Sequence, residues 1–233
     1  MRALLIVLAL AGTAHADRWS RMANELSGAA WLHYELTGLD RVQDESMRDP
    51  PRVTIKQLVL AGARLHGIVG HGHTFAYHVG LDLAAGGTVG QGGFAYDVAL
   101  LPIGIAIRPN DRAFFALGTG VGAMGGVPSL DGAVTLPIDL TAELGNGRVR
   151  LLGRARVSYV AGAPSRDGGA PSLPTGDELE AMLGVRIGHG YDEHGFTSGN
   201  GYFVAASYRE LEGARFAGVT LGYSIDLASP THL

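Results

Sequence analysis

Arg148, Arg150, Arg154 and Arg156 share one parity in the stretch RVRLLGRARVSYV, alternating with Val149, Leu151, Ala155, Val157 and Tyr159. Side chains two apart on a strand point to the same face, so the spacing predicts a strand with guanidiniums on one side and apolar groups on the other. Such a row suits three kinds of chemistry: holding nucleic-acid phosphates, lining a charged channel, or pairing with carboxylates in a closed polar interior. Carboxylates stand on both sides of it at strand spacing, Asp139 and Glu143 before and Glu178 and Glu180 after. A stripe for nucleic acid leaves its arginines open to phosphate and sits in a basic chain. This chain has a formal net charge of −4, and no nucleic-acid partner is expected.

Two further groups have residue types that do chemistry. His66, His71, His73 and His78 lie close in sequence, and the two in His71-Gly72-His73 would share a face on a strand. A zinc-type site needs a third ligand, and there is no cysteine in the chain to supply one. The histidines are read as a polar turn and its flanks, with no metal and no cofactor expected. Asp192-Glu193-His194 places an acid and an imidazole two apart, but in a glycine-rich stretch without a companion Asp-x-Asp pair. General acid–base work needs a second positioned group, so no catalytic residue is expected.

The elements that position these groups begin after the N-terminus. Met1-Arg2, the apolar run Ala3–Gly12 and Ala14-His15-Ala16 have the three parts of a secretory signal peptide. The domain reading is a signal peptide over 1–16, a lead segment over 17–24, a β-barrel over 25–227 and a C-terminal tail over 228–233. An exported chain without cysteine is held by forces other than disulfides. No apolar run approaches the ~18 residues of a helical span, yet the mean hydropathy is positive, at +0.16, and Lys56 is the one lysine.

Period-2 stretches recur along the rest of the chain, at 25–37, 52–66, 73–85, 93–108, 112–124, 133–144, 148–160, 178–189, 201–211 and 214–227. Most are longer than an ordinary strand of ~5–6 residues and match the ~9–11 that cross a bilayer at a tilt. Long connections are expected after the first, third, fifth and seventh, at 39–51, 86–92, 125–132 and 162–177, with short turns between. The end of the chain departs from that rule, so eight or twelve strands are the alternatives to ten. The fold class is all-β, a single antiparallel up-and-down transmembrane barrel of about ten strands.

Asn146-Gly147 is a strong two-residue hairpin signal. A turn there sets Glu143 opposite Arg150, Asp139 opposite Arg154 and Thr141 opposite Leu152. The same reasoning at Glu212-Gly213 sets Ser207 opposite Gly218, Ala205 opposite Thr220 and Tyr202 opposite Tyr223. Polar meets polar and apolar meets apolar in both, and a one-residue slip would undo that. The expectation is a lumen ion-pair ladder of Asp139, Glu143, Arg150, Arg154, Arg156, Glu178 and Glu180, in an interior filled by side chains. Arg148 and Arg156 have no partner on the preceding strand in this register. His33, Glu35, Arg64, His66, His78, Asp82 and Asp97 are further inward candidates. Ile103, Ile105 and Ile107 share the parity of Asp97, which leaves two readings open: a local apolar layer facing inward, opposite Gly118, Ala116 and Phe114, or a misassigned face.

With these features the chain resembles the small outer-membrane β-barrels of Gram-negative bacteria. Its last strand, Thr220-Leu-Gly222-Tyr-Ser-Ile225-Asp-Leu227, is similar to the terminal strand that the barrel-assembly machinery reads, with Leu227 where an aromatic is usual. Tyr34, Phe75, Tyr77, Phe94, Tyr96, Tyr159, Tyr202 and Tyr223 suit interfacial girdles. The resemblance implies outer-membrane localisation, outer-membrane lipid and the assembly machinery as partners, and a structural, small-pore or surface-interaction role. A soluble periplasmic or secreted barrel holding a lipid-like ligand is the alternative, with its apolar rows inward and its arginines in water. A barrel hydrolase is the third reading. The His-x-Ser of lipid A deacylases and the second carboxylate pair of omptin-type proteases are both missing.

Overall fold

In the computed structural model the described residues are 25–37, 56–70, 75–89, 93–110, 112–127, 130–146, 149–161, 176–188, 200–211 and 214–228. Among them are ten strands: β1 (Glu25–Thr37), β2 (Lys56–Val69), β3 (Phe75–Thr88), β4 (Phe94–Asn110), β5 (Ala113–Val127), β6 (Leu130–Asn146), β7 (Val149–Ala161), β8 (Gly176–Gly188), β9 (Gly201–Leu211) and β10 (Ala214–Ala228). Each pairs antiparallel with its sequence neighbours, and β1 closes on β10, so the sheet is a barrel. Closure removes the open edges that a sheet of this length would expose.

Alternation fixes the two faces. Along β7 the arginines at 150, 154 and 156 are buried while Val149, Leu151, Val157 and Tyr159 are exposed. Every strand repeats this, with large apolar side chains outside: Leu32, Val59, Leu83, Leu100, Val121, Ile138, Leu151, Leu183, Val204 and Leu221 are examples from β1 to β10.

Three local readings of the sequence are decided or corrected by this geometry. Ile103 and Ile105 lie on the outer face, 64% and 43% exposed, while Ala106 and Arg108 point inward. The cause is a β-bulge in β4: Leu100 pairs with Val121 but Ile103 with Thr119, so Leu101-Pro102 opposes Gly120 alone. Proline has no N–H to give the ladder and concentrates at such bulges. A Cβ at Gly120 would collide with the Leu100 carbonyl and the proline ring. One extra residue flips the parity of everything after it.

The β6–β7 ladder runs on to Asn146↔Val149, so 147–148 make the connection, and Asp139 faces Arg156, Thr141 faces Arg154 and Gly145 faces Arg150. This register is two residues from the one the Asn-Gly signal implies, and a shift of two keeps every face. Gly145 absorbs the distortion at φ +150, where only glycine is unstrained, and its N–H donates to the Arg112 carbonyl at 2.9 Å.

The third correction is the connection over 125–132, which shrinks to 128–129. Gly125 and Gly132 belong to strands, and the Tyr96 ring covers both on the outer face. The β9–β10 register is Ser207↔Gly218, Ala205↔Thr220 and Tyr202↔Tyr223, as the turn at 212–213 implies.

Candidate functional site

The inner face gathers the charges. Asp82 of β3 accepts from three guanidiniums: Arg64 of β2 (Nε, 2.6 Å), Arg156 of β7 (Nη2, 2.6 Å) and Arg154 of β7. Asp139 of β6 accepts from Arg154 Nε at 2.6 Å and from the Thr141 hydroxyl at 3.1 Å, and lies 3.4 Å from Arg156 Nε. Arg156 also donates to Asp97 of β4 at 3.1 Å. Glu180 of β8 stands further off, 3.7 Å from Arg154 and 3.9 Å from Arg156. β3 and β7 are on opposite walls of a ten-strand ring, so these contacts cross the lumen rather than run along one wall.

Two smaller groups flank this layer. Toward the 38–55 connection, Arg209 of β9 donates to Glu35 of β1 at 2.8 Å, lies 3.9 Å from Glu178 and stacks on the Phe216 ring. His33 shares a hydrogen bond with the Thr220 hydroxyl at 2.8 Å. Toward the 147–148 turn, Arg186 of β8 donates to Glu143 of β6 at 2.7 Å, and Arg150 lies 3.7 Å from the same carboxylate. Charged hydrogen bonds of this kind are about twice as strong as neutral ones. Buried charges survive only with such partners.

Residues named from the sequence therefore fall into three clusters. Asp139, Arg154, Arg156 and Glu180 meet in the middle, Glu178 lies with Arg209 and Glu35, and Glu143 lies with Arg150 and Arg186. Arg154 reaches Asp139 diagonally, although Thr141 is its backbone partner. Arg156, without a partner in the sequence register, has four carboxylates around it. Arg148, His71, His73 and the 192–194 triplet lie outside the described residues. His66 and His78 form a hydrogen bond at 3.2 Å, ring edge to ring face.

Sequence reasoning missed Arg108, Arg209, Trp31 and Phe203 as interior groups. The bulge hides Arg108, whereas Arg209 shares the parity of Ser207 and was legible. Trp31 and Phe203 lie flat over Gly62 and Gly222 of neighbouring strands, where a Cβ would strike the rings.

Among the described residues two cavities lie within the lumen, one on each side of the central layer. The first, of about 90 Å³, is lined by Trp31, His33, Glu35, Asp97, Glu180 and Arg209 among others. The second, of about 120 Å³, is lined by Ser27, His66, Phe114, Glu143 and Arg186 among others. Arg64, Arg154, Met182 and Phe203 border both.

No protein-family model and no curated protein matches the chain. Among solved structures, the β-domain of the Bordetella autotransporter BrkA aligns with 88% of this chain and 99% of its own length, at 10% identity and a TM-score of 0.50. The translocator domain of the autotransporter NalP from Neisseria meningitidis aligns over 97% of this chain and 94% of its own, at 11% identity and a TM-score of 0.40. The likeness to the first is one of fold, and at that level the resemblance to outer-membrane β-barrels holds: this chain is a closed, all-antiparallel barrel of ten strands among its described residues.

Proposed function

We propose that the chain is a bacterial outer-membrane β-barrel whose lumen is closed at mid-height by its ion-pair layer, with a structural or small-conductance role and no enzymatic chemistry. The observation that carries this reading is the inverted polarity of the barrel: charges and hydroxyls gathered inside beside two small apolar clusters, and large apolar side chains exposed on all ten strands. Soluble monomers rarely expose apolar patches above a few hundred Å², and a lipid-facing band is the setting in which such a surface is stable. A soluble barrel with a lipid-like ligand needs the reverse, an apolar interior.

The aromatics support it. Tyr34, Phe94, Tyr96 and Tyr159 lie toward the end of the barrel that carries the 38–55 connection, and Phe75, Tyr77, Tyr202 and Tyr223 toward the other. Phe94 pairs with Gly87, ten residues along β3 from Tyr77. At ~3.3 Å per residue that is about 33 Å of strand. A tilt of ~40° reduces it to about 25 Å, the height of the apolar band in such barrels. Both ends of the barrel segment, Glu25 and Ala228, lie at the end with the turns 111–112 and 147–148, which faces the periplasm in this proposal.

The test is fractionation of expressing cells, followed by electrophoresis of the membrane fraction with and without boiling. Recovery in the outer membrane, with a boiled band that migrates differently, is expected. Recovery in the soluble fraction with no heat-dependent shift would overturn the reading.

A further inference from the structure

The two cavities differ in charge, and the difference points to a ligand. The first is balanced, with Glu35, Asp82, Asp97 and Glu180 lining it against four arginines. The second, among the described residues, is lined by Arg64, Arg154 and Arg186 beside Glu143. Arg154 and Arg186 are buried, at 9% and 8% exposure. Arg150, also buried, stands behind Glu143 and is the direct cross-strand partner of Arg186. Like charges opposite one another across a strand pair repel, and Glu143 stands between these two arginines, 3.7 Å from Arg150 and 2.7 Å from Arg186.

We propose that this chamber is a binding site for a small oxyanion of the phosphate class. Arg186 reaches it from β8, Arg154 from β7, Arg64 and His66 from β2, and Ser27 from β1. Guanidiniums match the geometry of such oxygens. Each arginine is held by carboxylates that fix its direction: Asp82 holds Arg64, Asp139 and Asp82 hold Arg154, and Glu143 holds Arg186. A cavity of about 120 Å³ has room for several waters or one such anion in their place. The chamber extends to Ile68, next to the end of β2, and Phe114, next to the start of β5, so it adjoins the barrel mouth that carries the turns. The inference holds whether or not the barrel sits in a membrane.

The experiment is calorimetric titration of the folded full-length barrel, in phosphate-free detergent, with inorganic phosphate. A saturable, one-site isotherm is expected, with Kd in the millimolar range or tighter. Arg186→Gln weakens it by about tenfold or more, the scale of one lost charged hydrogen bond. Ser207→Ala, in the other chamber, leaves it unchanged. Should Arg186→Gln fail to fold, His66→Phe, which fills the chamber, serves in its place and abolishes the isotherm. Repeating the titration with a short-chain phospholipid in place of phosphate separates the sources: no saturation there identifies the free anion, and saturation identifies a headgroup phosphate in the same site. An isotherm without saturation for either probe, or one untouched by both lumen variants, overturns the proposal.

Discussion

Asp82 is where the lumen is most exposed to a single change. Its carboxylate takes Arg64 at 2.6 Å, Arg156 at 2.6 Å and Arg154, and its side chain is 10% exposed. Asp82→Asn keeps the volume but removes the charge and replaces one of the two acceptor oxygens with an NH2, donor against donor for the Arg64 Nε that Oδ1 now accepts. Arg154 and Arg156 retain Asp139, whereas Arg64 loses the carboxylate it pairs with. Breaking a buried pair by removing one partner costs about 3–5 kcal/mol, mostly from the charge left behind.

Glu180 is the internal control. It faces two of the same arginines, but at 3.7 and 3.9 Å and with 23% exposure. Those distances are beyond hydrogen bonding, and Glu180→Gln should cost about 1 kcal/mol or less, the scale of a solvated pair. The assay is equilibrium urea unfolding in lipid vesicles, followed by tryptophan fluorescence. With a slope of ~2 kcal/mol/M, the lower estimate for Asp82→Asn moves the midpoint down by about 1.5 M, and Glu180→Gln by about 0.5 M or less. Equal midpoints for the two variants would refute the reasoning, because they would mean that contact geometry in the lumen does not set the energy.

Three further outcomes are expected. Ile103→Arg places a charge on the outer face after the bulge and should cost about 2–4 kcal/mol in bilayers; unchanged stability there would return residue 103 to the interior. Gly62→Ala drives a methyl into the Trp31 indole and should destabilise by about 1–3 kcal/mol, with a shifted emission spectrum in a Trp19→Phe background; an unaltered spectrum would mean that the indole does not lie on Gly62. Asp139→Ala removes one of the two carboxylates hydrogen-bonded to both Arg154 and Arg156 and should raise single-channel conductance in planar bilayers above that of the parent; equal conductance would show that the central layer does not limit the path.

Much of the barrel was legible because period-2 alternation is a local property. The faces of β6, β7, β9 and β10 follow from parity alone, and the inward positions of Glu35, Arg64, Asp82 and Asp139 with them. What failed was whatever parity cannot carry. The bulge at Leu101-Pro102 reverses it with no charged residue near enough to mark the change. The β6–β7 register moved by two, which the faces do not feel, and so the ladder kept its sides while trading its rungs. Partners across the lumen were invisible for a different reason. Arg154 and Asp82 are 72 residues apart and on non-adjacent strands, and hairpin arithmetic reaches only adjacent ones.

Glycine explains both the misread loop and the packed interior. The chain has 36 glycines, and a turn-based reading assigns Gly125 and Gly132 to a connection. In the barrel they are floor space: Tyr96 lies over both outside, while Trp31 covers Gly62, Phe203 covers Gly222, and His78 lies against Gly104 and Gly118 inside. The same logic governs the charges. A ring of ten strands is wide, so a short side chain on one wall cannot touch the other. Long arginines on β7 can, when the facing positions are short acids and the flanking ones are small. Backbone hydrogen bonds hold each strand to its neighbours but nothing to the opposite wall. The Arg154 and Arg156 contacts to Asp82 supply that missing tie. Replacing such groups with well-packed apolar ones is often neutral or stabilising in a dry core, but apolar groups on both faces would leave a strand without a preferred side. Charges on one parity specify which row faces inward, and that specification is what alternation in this sequence encodes.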